Sequence, residues 1–188
     1  MRFIKYIVLL IFISNPIFAT GYDVFGVGLF DVKFDGSASN DAIDFRYERR
    51  FDKVLVDIGP EVDNFFYLKP FAGIETTSDS AYYLIGGVYL EDNLGKLFVG
   101  EKSKYTFTPS FGAGLYDDGD GKKLGNDLEF RTAFEISYEM KNKNKIGISI
   151  SHISNANIGD KNPGVEIISL SYQIPYWENN NFLLINKA

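Results

Sequence analysis

Cysteine is absent from this chain of 188 residues and histidine occurs once. Disulfide frameworks, thiolate zinc sites and lipid anchors on cysteine are therefore excluded, and a His-rich metal site has no residues to build it. Any step that needs an imidazole must use His152. Positive charge is also scarce: 19 Lys+Arg stand against 25 Asp+Glu, a formal net charge of −6, which argues against the basic face of a nucleic-acid binder. Beyond residue 20 no apolar run approaches the ~18 residues of a membrane-spanning helix, so a helical membrane protein is excluded. By length the chain is a single domain.

The first residues read as a processing segment. Arg2 and Lys5 precede the apolar stretch Tyr6 to Ile13, and Ser14, Asn15 and Pro16 break it ahead of small residues, the layout of a secretory signal peptide. A short buried core helix is the plainer alternative, disfavoured by Pro16 and by the lack of any acidic residue before Asp23. Residues 1–21 are expected to be a signal peptide, cleaved after Ala19 or Gly21; residues 22–176 are expected to form the folded domain and 177–188 a C-terminal tail. Removing Arg2 and Lys5 makes the mature chain more acidic still, and with no disulfide its stability has to come from the fold.

From Tyr22 onward the chain has the two-residue period of strands. Leu128, Phe130, Phe134, Ile136, Tyr138 and Met140 share one parity; Glu129, Arg131, Glu135, Ser137 and Glu139 share the other. Tyr105 to Leu115 repeats the pattern, as do Ile43, Phe45 and Tyr47 against Asp44, Arg46 and Glu48. With less regular runs near 22–34, 64–76 and 81–90, and the runs Lys145 to Ile153 and Gly164 to Ile174, the count reaches eight, each ~10 residues, the length of a tilted membrane strand.

A charged face can point to solvent, as in a soluble sandwich, or into the lumen of a closed barrel, and composition alone does not decide. The leader, an aromatic content of 16% and the long apolar rows favour an all-β fold: an eight-stranded antiparallel β-barrel of the bacterial outer membrane. Lys141 to Asn144 then fits a short inner turn and Asp117 to Asn126 a longer outer loop. Arg46, Arg131, Glu48, Glu129 and Glu135 are expected to form a polar interior network, because isolated buried charges are costly. Pro70 and Pro109 fit less well. Each removes a ladder donor from a barrel without a free edge, which places them at bulges or near strand ends.

The chemistry is concentrated in the last hairpin. Ile146, Ile148 and Ile150 set the lipid-facing parity of the seventh strand, and it carries His152 and Ser154 to the same face. On the eighth, Ile168, Leu170, Tyr172 and Ile174 set a parity that turns Glu166 outward as well. Polar residues interrupt the apolar surface only at the outer-leaflet end of two paired strands. A serine, a base and an orienting acid within reach of one another are the requirement for nucleophilic attack on an ester. A lone histidine at a membrane interface can equally hydrogen-bond a loop, so the residues by themselves leave both readings open. The Gly-x-Ser-x-Gly elbow of α/β-hydrolases is absent.

The run His152-Ile-Ser154-Asn-Ala, followed by Asn162-Pro-Gly-Val-Glu166, resembles the outer-membrane lipid A 3-O-deacylases of the PagL family, also called acyloxyacyl hydrolases. Gly114-Leu-Tyr-Asp-Asp-Gly-Asp-Gly and Leu124-Gly-Asn-Asp-Leu-Glu-Phe-Arg131 are similar to that family too. The resemblance is good over roughly 105–175 and reaches the first strands only in general layout. It implies an eight-stranded barrel with a lipid-facing site in which His152 is the base, Ser154 the nucleophile and Glu166 the third member. It also implies that Asn162 is the donor to the oxyanion, with Asn155 in the same motif. No metal or other cofactor is required. The substrate would be lipid A or lipopolysaccharide, and a monomer and a homodimer are both open. One departure is the end of the chain: outer-membrane barrels commonly finish on a terminal aromatic, whereas here Trp177 to Ala188 follow the last strand.

Two further groups have plain readings. Asp117, Asp118 and Asp120 among glycines lack the distal Glu of an EF-hand and fit a solvated turn. Lys122, Lys123 and Lys161 fall in outer loops, where lysines are usually solvated and where contact with lipopolysaccharide phosphates is the alternative. Beside lipid A deacylation stand two alternatives, an outer-membrane phospholipase and a non-catalytic structural barrel. The phospholipase family would imply twelve strands, calcium and an Asn in the third place; this chain is too short for twelve and offers Glu166.

Overall fold

Ten strands and one short helix are present among the described residues, 20–34, 42–57 and 67–176, of the computed structural model. In chain order they are β1 (Gly21–Phe30), β2 (Ile43–Phe51), β3 (Val56–Asp57), β4 (Tyr67–Thr77), β5 (Tyr82–Tyr89), β6 (Asp92–Asn93), α1 (Leu94–Val99), β7 (Tyr105–Asp117), β8 (Leu128–Glu139), β9 (Lys145–Ser154) and β10 (Val165–Tyr176). The expected leader up to residue 19 and the tail 177–188 lie outside the described residues, while Gly21 is already paired with Tyr176 and Phe51.

Neighbouring strands pair antiparallel, β1 with β2, then β4, β5, β7, β8, β9 and β10 in turn, and β10 returns to β1. With β3 and β6 only two residues long, eight strands make the wall of a closed barrel. Closure removes every sheet edge, the condition for a strand-built structure to sit in hydrocarbon. We call the end at which β1 begins the inner end and the opposite one the outer end.

The parity read from the sequence is the parity of the wall. On β8 Phe134, Ile136 and Tyr138 point out and Glu129, Arg131, Glu135 and Ser137 are buried in the lumen. The apolar belt continues through Phe25, Val27 and Leu29 on β1 and Ile146, Ile148 and Ile150 on β9. Stacked cross-strand aromatics, Phe107 on Phe134 and Phe111 on Phe130, and the tilted pair Tyr105 and Tyr138 near the inner end reinforce it.

Inside, the charges neutralise one another. Glu135 accepts hydrogen bonds from Arg50 at 2.7 Å, Gln173 at 2.8 Å, Ser171 at 2.9 Å and Arg46 at 3.3 Å. Glu48 receives Arg50 at 3.1 Å and also Arg131, which reaches Glu75 on its other side. Acids from β2, β4 and β8 are thus joined through arginines across the lumen, as a low-dielectric interior requires. Glu129 and Asp44 stand outside this network: both carboxylates are buried and neither is ion-paired with an arginine among the described residues.

Both prolines occupy a repeated device. The carbonyl of Leu68 accepts from Leu55, so residues of its parity on β4 turn their backbone groups toward β2 and β3. Pro70 shares that parity and falls between Phe71, the last residue paired with β2, and Leu68, paired with β3. Pro109 repeats this on β7: its carbonyl accepts from Leu90, and it falls between Ser110, paired with β5, and Phe107, paired with β6. Each missing N–H therefore points at the step where one partner strand ends and a two-residue replacement begins, so the donor is lost at a hand-over between partner strands and not within a continuous ladder. The same steps lengthen the inner connections. Lys141 to Asn144 is a tight turn as expected, but 52–66 and 90–104 are long, the second carrying α1, whose first turn is capped by the Asn93 side chain. The outer connection at 78–81 is correspondingly short.

The outer mouth departs from the polar-in rule. Phe30, Tyr83, Tyr116, Leu124, Ile153, Val165 and Ile167 are buried together there, and the Tyr83 hydroxyl donates to the Glu129 carbonyl at 2.8 Å.

Two adjacent positions on β8 test opposite solvents. Glu135→Ala removes the acid that both Arg46 and Arg50 share with Glu48, leaving excess buried positive charge in the lumen, and should cost about 3–5 kcal/mol, whereas Phe134→Arg puts a cation into lipid near mid-membrane and should cost about 2–4 kcal/mol. Urea unfolding in lipid vesicles measures both; a neutral Phe134→Arg would mean that this face does not contact hydrocarbon.

Candidate active site

The hairpin of β9 and β10 sets the site by register alone. Glu166 is the cross-strand partner of His152 on one side and Thr132 of β8 is its partner on the other. Ser154, two residues further along the same face, stands opposite Phe130. His152 and Glu166 are directly opposed, the spacing at which side chains of antiparallel strands touch. Their side chains meet: His152 Nδ1 lies 3.1 Å from Glu166 Oε1. An ionised carboxylate can only accept, so this contact puts the ring proton on Nδ1 and leaves Nε2 free to take a proton. Ser154 continues the row at the outer end, with a backbone separation of ~7 Å expected for residues two apart. Among the described residues no hydrogen bond joins its hydroxyl to the ring; such contacts often tighten only when substrate is bound.

The ring and the serine stand on a rigid backing. Ile153, Val165 and Ile167, the inward neighbours of these outward residues, are 1%, 0% and 1% exposed in the apolar plug. The hairpin that carries polar groups toward lipid is thus anchored by apolar side chains toward the lumen, the reverse of the rest of the wall.

The loop after β9 has its own scaffold. Asn155 is fully buried; its amide donates to the carbonyls of Leu124 at 2.9 Å and Lys161 at 2.7 Å, and its carbonyl accepts from Asn157 N. Ile158 N returns to Asn155 O, and Ala156 and Asn157 both have positive φ, a tight turn of the I′ kind directly after Ser154. Asn155 therefore has no free amide hydrogen for a substrate and instead ties two outer loops together. Its backbone N–H donates to Asn162 Oδ1 at 3.0 Å. That bond orients the Asn162 side chain: the oxygen is held, and both amide hydrogens remain to donate.

Gly164 carries no role in the sequence reading, yet the geometry depends on it. Its φ is +60°, and a β-carbon built there would come within 2.9 Å of His152 Cε1. The imidazole thus packs against bare backbone. The signal was the Pro163-Gly164 pair, a turn dipeptide whose second residue needs positive φ. The acidic run behaves as a turn: Asp117 accepts from Gly119 N, Asp118 faces Lys123 at 3.8 Å, and no group of three metal-ligating residues occurs among the described residues.

Comparison with known proteins bears on the family and on the barrel. A family described as lipid A 3-O-deacylase (PagL) matches residues 69–175, from β4 to β10. The lipid A deacylase PagL of Bordetella bronchiseptica (strain ATCC BAA-588 / NCTC 13252 / RB50) is 35% identical over 51 residues, 27% of this chain and 29% of that protein, so the aligned stretch spans under a third of the relative. Among solved structures, the crystal structure of the outer membrane enzyme PagL superposes with a TM-score of 0.62 at 19% identity, covering 82% of this chain and 99% of the other. A barrel from the de novo design of transmembrane β-barrels gives 0.51 at 12% identity, covering 86% and 98%. At these identities the two structures establish the shared barrel alone. The family match, however, spans more than half of the sequence and includes the β9–β10 hairpin up to Pro175, with His152, Ser154 and Glu166: this chain belongs to the lipid A 3-O-deacylase (PagL) family.

Proposed function

We propose that the protein is an outer-membrane serine esterase that hydrolyses the ester-linked acyl chain at the 3-position of lipid A. The observation that carries this reading is the His152–Glu166 contact of 3.1 Å on a lipid-facing surface, with Ser154 next on the same row. Ser154 Oγ attacks the acyl carbonyl as His152 Nε2 takes its proton; Glu166 holds the ring and stabilises the imidazolium. The Asn162 amide donates to the oxygen that gains charge, and the alcohol of the sugar leaves with the proton from His152. Water then repeats the sequence on the acyl-enzyme, releasing a fatty acid and restoring Ser154. Asn155 is a positioning residue that holds Asn162.

The location supports the substrate as much as the residues do. An apolar groove of about 260 Å³, lined by Val88, Phe111, Thr132 and Phe134 among others, runs down the lipid face from Thr132, the cross-strand neighbour of His152. An acyl chain entering from the outer leaflet would lie there with its ester near Ser154.

Ser154→Ala and His152→Ala should each lower ester hydrolysis by at least about 10³-fold, and the double variant should be little worse, since the groups act as one unit. Glu166→Ala should lose less. Release of fatty acid from lipid A micelles measures all four, and full activity in Ser154→Ala would end the serine mechanism.

Gly164→Ala adds a methyl where the ring sits and should cost about 10²-fold through misplacement of the imidazole. The variant should keep a heat-modifiable, folded band on gels. Unchanged turnover would remove Gly164 from the site.

A neutral imidazole drives attack on esters far more readily than on amides. Expression in a host with hexa-acylated lipid A should therefore release one primary hydroxyacyl group, together with anything esterified to it, and leave the amide-linked chains. Mass spectrometry of the lipid A decides: loss of an amide-linked chain, or deacylated glycerophospholipid beside intact lipid A, contradicts the assignment.

A further inference from the structure

Beyond the last β1–β10 pair, Phe30 with Ile167, the chain continues for two more positions beside the site: Val32 N donates to the Glu166 carbonyl at 2.9 Å. Asp31, between them, takes the left-handed conformation with φ of 60°, and its carboxylate turns into the rim, where it is 6% exposed. Two ammonium groups converge on one of its oxygens. Lys33 Nζ is 2.7 Å away, and Lys122 Nζ, from the loop between β7 and β8, is 2.5 Å away.

This is not the usual arrangement of loop lysines, which extend into water. The side chains are only 27% and 17% exposed, and two positive charges share one negative one. An ammonium group has three donors. Among the described residues each spends one on Asp31, so four N–H groups and one net charge of the trio are left over. The carboxylate nearest them in the site, Glu166, is already committed to His152. The contact with Asp31 holds the Lys33 ammonium above the usual lysine range, while burial lowers Lys122; an anion beside the free N–H groups would offset the cost of burying the Lys122 charge.

The rim of the outer leaflet is where lipid A presents its phosphate groups, one glucosamine ring away at most from the acylated hydroxyls. We propose that Lys33 and Lys122, held together by Asp31, form a docking site for a phosphate monoester of the lipid headgroup that places the acyl ester over Ser154. The proposal rests on the deacylase reading. It assigns to these lysines a part in choosing phosphorylated lipid, which the catalytic row itself does not supply.

The test compares bisphosphorylated lipid A with the same lipid after enzymatic dephosphorylation, in neutral detergent micelles at fixed salt. Two readouts are taken: the ratio of kcat/KM for the two lipids, and the ratio of their affinities for the inactive Ser154→Ala protein. The wild-type site should favour phosphorylated lipid by about tenfold in each, the size of one charge-assisted contact, through KM more than kcat. Lys33→Gln with Lys122→Gln should bring both ratios close to one, and Lys33→Arg should keep them. Lys33→Gln alone, which leaves the Asp31–Lys122 pair across the loops intact, should reduce both ratios in a folded barrel. If the wild type cleaves both lipids and the double variant changes neither ratio, the docking site falls and the hydrolase stands. If nothing is cleaved yet the lysines still govern preference in binding, the hydrolase falls and the docking site stands. Binding of inorganic phosphate without any preference between the two lipids also overturns the proposal.

Discussion

Inside a bilayer no water is available to the backbone, so every N–H and C=O of the wall must find its partner in the chain itself. The rest of this structure depends on that constraint. It demands a closed ring of strands, and closure makes a proline anywhere in the wall a threat to the ladder. Pro70 and Pro109 are tolerated because β2 and β5 end where the missing donors would have pointed, and β3 and β6 take over the pairing one step later.

Closure also turns the usual protein inside out. Once the outside is hydrocarbon, the lumen has to hold the charged residues that keep eight amphipathic strands in register, and a one-residue slip would put Glu135 or Arg131 into lipid. The arginine-linked acids fix that register through the middle of the barrel. At the outer mouth the ionic network stops and apolar side chains fill the lumen instead. Glu129 lies at this change of solvent, which accounts for its having no arginine within reach although it follows the same parity as Glu135.

How much of this was legible depended on how strongly each segment was forced. Leu128 to Met140 alternates because both faces are under pressure, and the parity, the lumen charges and the outward turn of His152, Ser154 and Glu166 could all be read from residue order. β4 and β5 read less clearly because Pro70, Ala72 and Gly86 interrupt their outer rows, and β1 because Gly26 and Gly28 leave its lumen row without polar side chains. The prolines could be placed near an irregularity but not at the partner-strand ends, since that requires knowing where β2 and β5 stop. Asn155 shared a motif with Asn162, and only its burial separates their roles. The Pro163-Gly164 pair marked Gly164 as a turn but did not show that His152 packs on it, and the trio of Asp31, Lys33 and Lys122 was hidden because its meaning lies in a contact between loops far apart in sequence, which no local period encodes.

The break in parity at the outer mouth is what makes an active site on the lipid face tenable. A polar row turned outward has no lumen network behind it to hold it still, and lipid offers it no hydrogen bonds. In β9 and β10 the compensation is local: Ile153, Val165 and Ile167 pack inward between the very residues that face out, and Asn155 draws the loops of β7–β8 and β9–β10 onto the end of the hairpin. The imidazole is then positioned by the strand register, the Glu166 carboxylate and the bare backbone of Gly164. Rigidity of this kind is what the proposed esterase mechanism would need from its scaffold, because the geometry of attack has to be set before the substrate arrives. It is reached here by exchanging the polarity of the two faces over the last few residues: the face that elsewhere meets the membrane with apolar side chains carries the polar row, and apolar side chains on the lumen face support it.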